Sequence, residues 1–219
     1  MFLGHYALGF GAKKLTPYTS LGTLLLAAEF VDLIWPLFLA AGLETVRIAP
    51  GITRVTPLDF TSYPWSHSLV MGVVWAALFA GVYTVFRRYP RGALVLAGLV
   101  LSHWVLDLFS HRADLPIWPG GGPKVGLGLW YSLPATMAVE GVLLAIGTWL
   151  YASNTEAVDA TGRYSFAAFI AALVLIYLGS VLGPPPPDTS VLTLTAFGQW
   201  LLIAWAYWLD RHRVAIRQW

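Results

Sequence analysis

His103, Asp107 and His111 recur at four-residue intervals in the stretch Ser102-His103-Trp104-Val105-Leu106-Asp107-Leu108-Phe109-Ser110-His111. On a helix, positions i, i+4 and i+8 lie along one face. Two imidazoles and a carboxylate on one face can bind one divalent cation, or two neighbouring ones. The chain has no cysteine. That excludes a thiolate site, a disulfide framework and a cysteine nucleophile, and leaves His and carboxylates as the ligands for any metal. Glu29 and Asp32, three apart, share a second face. His67 stands in Tyr63-Pro64-Trp65-Ser66-His67-Ser68, and Glu140 lies alone in an apolar stretch.

The elements that must carry these residues are set by composition. The chain has 219 residues, of which 58% are hydrophobic and 11% charged. Soluble domains are about 45–50% apolar and about 25% charged. So few charges cannot coat a globule of this size, and the net charge of +2 with no basic run beyond a doublet speaks against nucleic acid as a partner. A bilayer core needs about 20 mostly apolar residues per helix. Six stretches qualify, at 20–41, 66–86, 92–109, 131–151, 164–182 and 191–209. They predict a single all-α, polytopic membrane domain over 1–219. The breaks hold turn residues, such as Trp118-Pro119-Gly120-Gly121-Gly122-Pro123 and the run Pro184 to Pro187. The first twelve residues are apolar but too short to span, and read as a short helix or re-entrant segment. Trp and Tyr near the span ends, among them Trp65, Trp130, Tyr131, Trp149, Tyr151, Trp200 and Trp208, form an interfacial belt.

Six spans put both termini on one side. That side holds Lys13, Lys14, Arg87, Arg88, Arg91, Arg163, Arg211, Arg213 and Arg217, while Arg47, Arg54, Arg112 and Lys124 lie opposite. Nine against four places both termini in the cytoplasm by the positive-inside rule. His67, Asp107 and His111 then share a depth near the outer face, with Asp32 and Glu29 near mid-depth and Glu140 descending from the outer side. His5 precedes the cytoplasmic lysines, so it reaches this group only if the N-terminal segment dips into the bilayer.

A charged side chain at the bilayer centre costs about 2.5 kcal/mol or more, yet Glu29, Asp32, Asp107 and Glu140 fall inside spans. Each has a plainer reading. Glu29 can be protonated and hydrogen-bonded, Glu140 can pair with a base, and a buried His can simply bond a neighbouring helix. Pro36 frees a carbonyl one turn earlier and can open the first span beside Asp32. Arg112 and Asp114 can orient His111 from behind. His212 reads as a solvated helix end, and no Ser-His-acid arrangement is legible around Ser66 and Ser68.

Four of these motifs, in order, resemble a bacterial inner-membrane family of metal-dependent hydrolases sometimes described as LexA-binding. They are Gly4-His5, the acidic Glu29-Phe30-Val31-Asp32, Ser66-His67-Ser68, and His103 to Asp107 continuing to His111. The likeness covers about the first 115 residues. The family usually shows Pro-Asp-x-Asp where this chain has Glu29 and Asp32 without the proline. The resemblance implies a polytopic inner-membrane protein and a His/Asp metal site similar to zinc-dependent phosphoesterases.

The expected function is therefore a membrane-embedded metal-dependent hydrolase, acting on a lipid or lipid-linked phosphoester. His5, Asp32, His67, His103, Asp107 and His111 are the expected ligands, Glu140 and Glu29 the expected general base or further ligands, and zinc the expected ion, in one or two copies. A small transporter or proton-coupled permease using the same acids, or a non-enzymatic protein with a structural metal, stands as the alternative.

Overall fold

The computed structural model describes residues 1–216; Arg217, counted above with the basic side, lies outside them. The chain opens with helix α1 (Phe2–Ala12), followed by α2 (Leu21–Ala28) and α3 (Phe30–Ala40). A hairpin of β1 (Thr45–Ile48) and β2 (Leu58–Ser62) leads to a single turn, α4 (Pro64–His67), and the long helices α5 (Leu69–Arg87) and α6 (Pro90–Ser110). The two-residue strands β3 (Leu115–Pro116) and β4 (Lys124–Val125) precede α7 (Leu133–Asn154), which runs into β5 (Thr155–Ala157). Helices α8 (Ala160–Leu182), α9 (Thr189–Ala196) and α10 (Gln199–Asp210) and strand β6 (Arg213–Ala215) complete it. The three short sheets are antiparallel pairs, β1 with β2, β3 with β4 and β5 with β6.

Local chemistry sets the helix ends. Ser20, Ser68, Ser132, Asp159 and Asp188 each accept a backbone N–H from the first turn of the helix they precede. Pro90 starts α6 where its missing N–H costs nothing. Asp159 also meets His212 Nδ1 at 2.8 Å, and these bonds hold its carboxyl below the usual range.

By length and apolar character, five helical stretches can cross a membrane, and six if α2 and α3 count as one bent span. The protein is thus mostly helical, with the makings of an all-α membrane protein. The outward faces agree: α5 exposes Val73, Leu78, Val82, Val85 and Phe86, a surface suited to hydrocarbon.

Several expectations need correction. The first stretch is not one helix but two, bent by 57° at Glu29. Pro36 sits inside α3 without breaking it. The second stretch begins as the separate turn α4, and Ser68 in extended conformation caps α5. The last is interrupted at Phe197 and Gly198. The N-terminal residue is not at the basic end. Helix α1 starts inside, with Met1 buried beside Asp107, and runs out to Lys13 at the other end, which is bonded to Asp210 Oδ1 at 3.1 Å and to the Thr19 carbonyl at 2.8 Å.

Helix α1 is the hub. Its neighbours are α2, α6, α7 and α8, and Tyr6 and Phe10 sit in the largest core cluster with Leu25, Tyr151 and Phe169. The closest approach is to α7 at Gly147, where an added Cβ would stand 2.3 Å from the Ala7 carbonyl oxygen. Gly147→Leu should therefore destabilise the protein by about 1–3 kcal/mol through overpacking. Gly141→Leu on the same helix, where an added Cβ meets nothing within 4 Å, should leave the detergent melting temperature unchanged. Equal melting of the two variants would contradict this account of the α1–α7 contact.

Candidate metal centre

The bend at Glu29 aims α3 at the C-terminal half of α6, and α1, which starts inside, has its first turn at the same place. Asp107 is the meeting point. Its Oδ1 lies 3.2 Å from His5 Nε2 and accepts from the Met1 amino group at 2.6 Å. Its Oδ2 lies 3.4 Å from His103 Nε2, 3.8 Å from His111 Nε2 and 3.9 Å from His67 Nε2. Asp32 Oδ1 is 3.1 Å from His67 Nε2 and 3.6 Å from His103 Nε2. The His5 and His103 rings stack 3.5 Å apart. All six expected ligands thus converge. His5, the one that depended on the N-terminal segment entering the interior, is fully inside at 1% exposure.

The far side of each ring fixes which nitrogen carries the proton. His103 Nδ1 lies 2.8 Å from the Ala28 carbonyl. A carbonyl only accepts, so Nδ1 is the donor. His111 Nδ1 lies 3.0 Å from the Asp114 carboxylate, again an acceptor. His67 Nδ1 meets Ser66 Oγ at 2.6 Å, and that hydroxyl spends its one proton on Glu44 Oε2 at 2.7 Å. His67 must therefore donate to Ser66. In their neutral forms, three imidazoles direct unprotonated Nε2 atoms at the buried carboxylate of Asp107 and the half-buried one of Asp32. Lone pairs facing carboxylate oxygens repel unless a proton or another cation lies between them. His103 Nε2 has no hydrogen-bond partner among the described residues.

A divalent ion fits this arrangement. Ligands about 2.1 Å from a shared ion at the tetrahedral angle stand about 3.4 Å apart, and the Nε2–Oδ separations run from 3.1 to 3.9 Å. Two groups place their ligand atoms within 4.8 Å of one another, His5 with His103 and Asp107, and Asp32 with His67 and His103. The two oxygens of Asp107 face different histidines, which is the disposition of a bridging carboxylate. A cavity of about 190 Å³ opens on Asp32, His67, Asp107 and His111, with Glu140 and Tyr177 also on its wall.

The expected acids are placed unequally. Glu140 reaches the cavity, but its Oε2 already accepts the Leu3 N–H at 2.6 Å. Glu29 is 0% exposed, does not line the cavity, and has no partner for either oxygen among the described residues.

Sequence reasoning missed Glu44. This acid, 2% exposed, accepts from the Trp65 and Ser66 amides and the Ser66 hydroxyl, and so anchors the turn that presents His67. Its position in a loop after the first apolar stretch gave no sign of this. Tyr63 was also missed as a site residue. Its hydroxyl donates to Asp114 at 3.3 Å and lies 3.2 Å from His111 Nδ1. Burial, with the Asp114 charge beside it, pushes that hydroxyl's pKa above the usual tyrosine range, so it stays a donor. Arg112 and Asp114 do stand behind His111 as expected: Arg112 Nε donates to Asp114 Oδ2 at 2.9 Å, and its other arm reaches Asp59, which also holds Arg47.

Fold and site together define a mostly helical protein with membrane-length apolar helices and a buried His/Asp group able to hold a metal ion. No protein-family model, curated protein or solved structure matches the chain. Ligand orientation from behind is usually worth about 10–100-fold in metal affinity. Ser66→Ala, which removes the acceptor for His67 Nδ1, should weaken divalent-ion binding by about that factor in a chelator competition titration. Unchanged affinity would mean that His67 is not a ligand.

Proposed function

We propose that this protein is a membrane-embedded, metal-dependent hydrolase of a lipid or lipid-linked phosphoester. The observation that carries the reading is the convergence of imidazole Nε2 atoms, their other nitrogens tied down, on buried Asp107 and half-buried Asp32. This donor set of imidazoles and carboxylates suits zinc, in one or two copies. Bound zinc would lower the pKa of a coordinated water to about 7 and polarise a phosphoryl oxygen.

The chain's own residues would do the rest. Asp32, His67, His103, Asp107 and His111 would hold the ion, and His5 would extend the set from α1 toward a second position. Ser66 with Glu44, and Asp114 with Arg112, would keep the rings in place. Glu140 stands on the cavity wall, and we assign it to positioning α1 and to receiving a proton at its remaining oxygen. Glu29, away from the cavity, receives no catalytic role.

The resemblance to the inner-membrane hydrolase family rests on Gly4-His5, the acidic Glu29-Phe30-Val31-Asp32, Ser66-His67-Ser68 and the His103–Asp107–His111 series. With six spans, the bent α2–α3 pair counting as one, we place the protein in a bacterial inner membrane. Arg91 lies in the first turn of α6, and Asp107 is sixteen residues on, about 24 Å along the helix. The positive-inside rule then puts the cluster in the outer half of the bilayer.

Detergent-purified protein should carry about one to two zinc ions per chain by elemental analysis. His103→Ala combined with Asp107→Ala should lose them. Because imidazole binds metal only when neutral, retention should fall on acidification and recover when the pH is raised. Hydrolysis of a phosphodiester panel should follow metal content. Metal-free wild type that gains nothing from added zinc would defeat the proposal. Metal whose removal lowers the melting temperature, in protein that hydrolyses nothing, would select a structural role instead.

A further inference from the structure

The substrate must reach a cavity walled by apolar helices, and the outer surface of α7 and α8 shows a route. Both helices pack on α1, and the gap between them forms a groove of about 530 Å³ floored by Leu3. Its walls include Gly141, Ala145 and Thr148 of α7 and Ile170, Val174 and Tyr177 of α8. Gly141 leaves open space, since an added Cβ there meets nothing within 4 Å. Pockets for small molecules usually span about 300–1,000 Å³, so the volume is that of a ligand site rather than a packing defect.

Groove and metal cavity share a wall. Glu140 lines the cavity, and the next residue, Gly141, lines the groove. Tyr177 lines both, is 4% exposed, and its hydroxyl has no partner among the described residues. Leaving a buried hydroxyl without a partner is costly, and here it stands where an apolar compartment meets a polar one. Water does not suit the groove, because it needs two to four polar partners and the walls are nearly all hydrocarbon. On the outward face of two apolar spans, the available filler is a lipid chain.

We propose that the α7–α8 groove is a lateral opening that takes one acyl chain of a phosphate-bearing glycerolipid. The Tyr177 hydroxyl would donate to the ester carbonyl at the junction, and the phosphate would lie in the Asp32–Asp107 cavity. This names the substrate class of the hydrolase proposed above and rests on that reading.

The test uses the full chain in phosphatidylcholine nanodiscs containing phosphatidylglycerol with a photoreactive acyl chain. Cross-linked peptides are mapped by mass spectrometry, and zinc is measured on the same samples. Labelling of α7 and α8 should exceed that of α5, whose outward face is equally apolar. Gly141→Phe, and independently Ala145→Phe, should remove the excess and leave α5 labelling and zinc content as in wild type. Equal labelling of α5 and α7–α8, or an excess that neither folded variant reduces, would overturn the lipid site. Groove labelling in protein that never holds metal would support the lipid site while overturning the hydrolase reading.

Discussion

The imidazoles are not free to turn away from the carboxylates. Ala28, Ser66 and Asp114 each hold one Nδ1, and that commits three Nε2 lone pairs to the space around Asp32 and Asp107. In water such a set would relax by rotating rings or solvating charges. Here the rings are 1 to 5% exposed, and the effective dielectric of an interior lets neither repulsion nor unpaired charge be screened. The Met1 ammonium, 2.6 Å from Asp107 Oδ1, answers one carboxylate oxygen, and the Nε2 lone pairs that face Asp32 and Asp107 Oδ2 still call for a positive species between them. Protons can serve, but they satisfy one nitrogen at a time, whereas a divalent ion satisfies several donors at one point. The rest of the fold reads as the means of enforcing that geometry.

Three irregularities supply it. The 57° bend at Glu29 turns α3 so that Asp32 faces α6. The turn α4, with its amides held by Glu44, lifts His67 to the same level. Helix α1 starts inside and delivers His5. A straight first span would leave Asp32 on a lipid-facing or helix-packed surface, and a continuous α4–α5 helix would rotate His67 away. Beyond the rim, Arg47, Asp59, Arg112 and Asp114 form a charged chain that ends on His111. It balances its own charges close to the β1–β2 hairpin, where desolvation is less costly than at mid-membrane.

Much of this is legible in the sequence. Apolar stretches of bilayer length located the long helices because hydropathy is a property of composition alone. The i, i+4, i+8 series puts His103, Asp107 and His111 on one face because helical period fixes it, and their side chains do converge. What escaped was every feature that depends on a bend. Glu29 breaks the first span although the nearest glycine, Gly22, is seven residues away, and Pro36, the residue that should break a helix, does not. The kink is set by tertiary contacts rather than propensity. Glu44 escaped for a related reason: a loop acid shows its purpose only once the amides of Trp65 and Ser66 are seen to converge on it. The depth of His5 was conditional on the path of α1, which twelve apolar residues could not decide.

Glu140 shows how one side chain links these levels. A helix starting inside a hydrophobic interior exposes N–H groups that have no partner within it. Helix α1 has no side-chain cap of its own, and Glu140 supplies the acceptor for Leu3. Without that carboxylate the start of α1 would hold an uncompensated amide in an apolar surrounding, and the helix would gain by shifting toward the basic end. Such a shift would withdraw His5 from Asp107 and uncover Leu3, the floor of the α7–α8 groove. Sequence alone suggested a base or a ligand at this position. The geometry makes it first a positioning residue, which sets the depth of α1 and through it both the His/Asp cluster and the wall between that cluster and the α7–α8 groove.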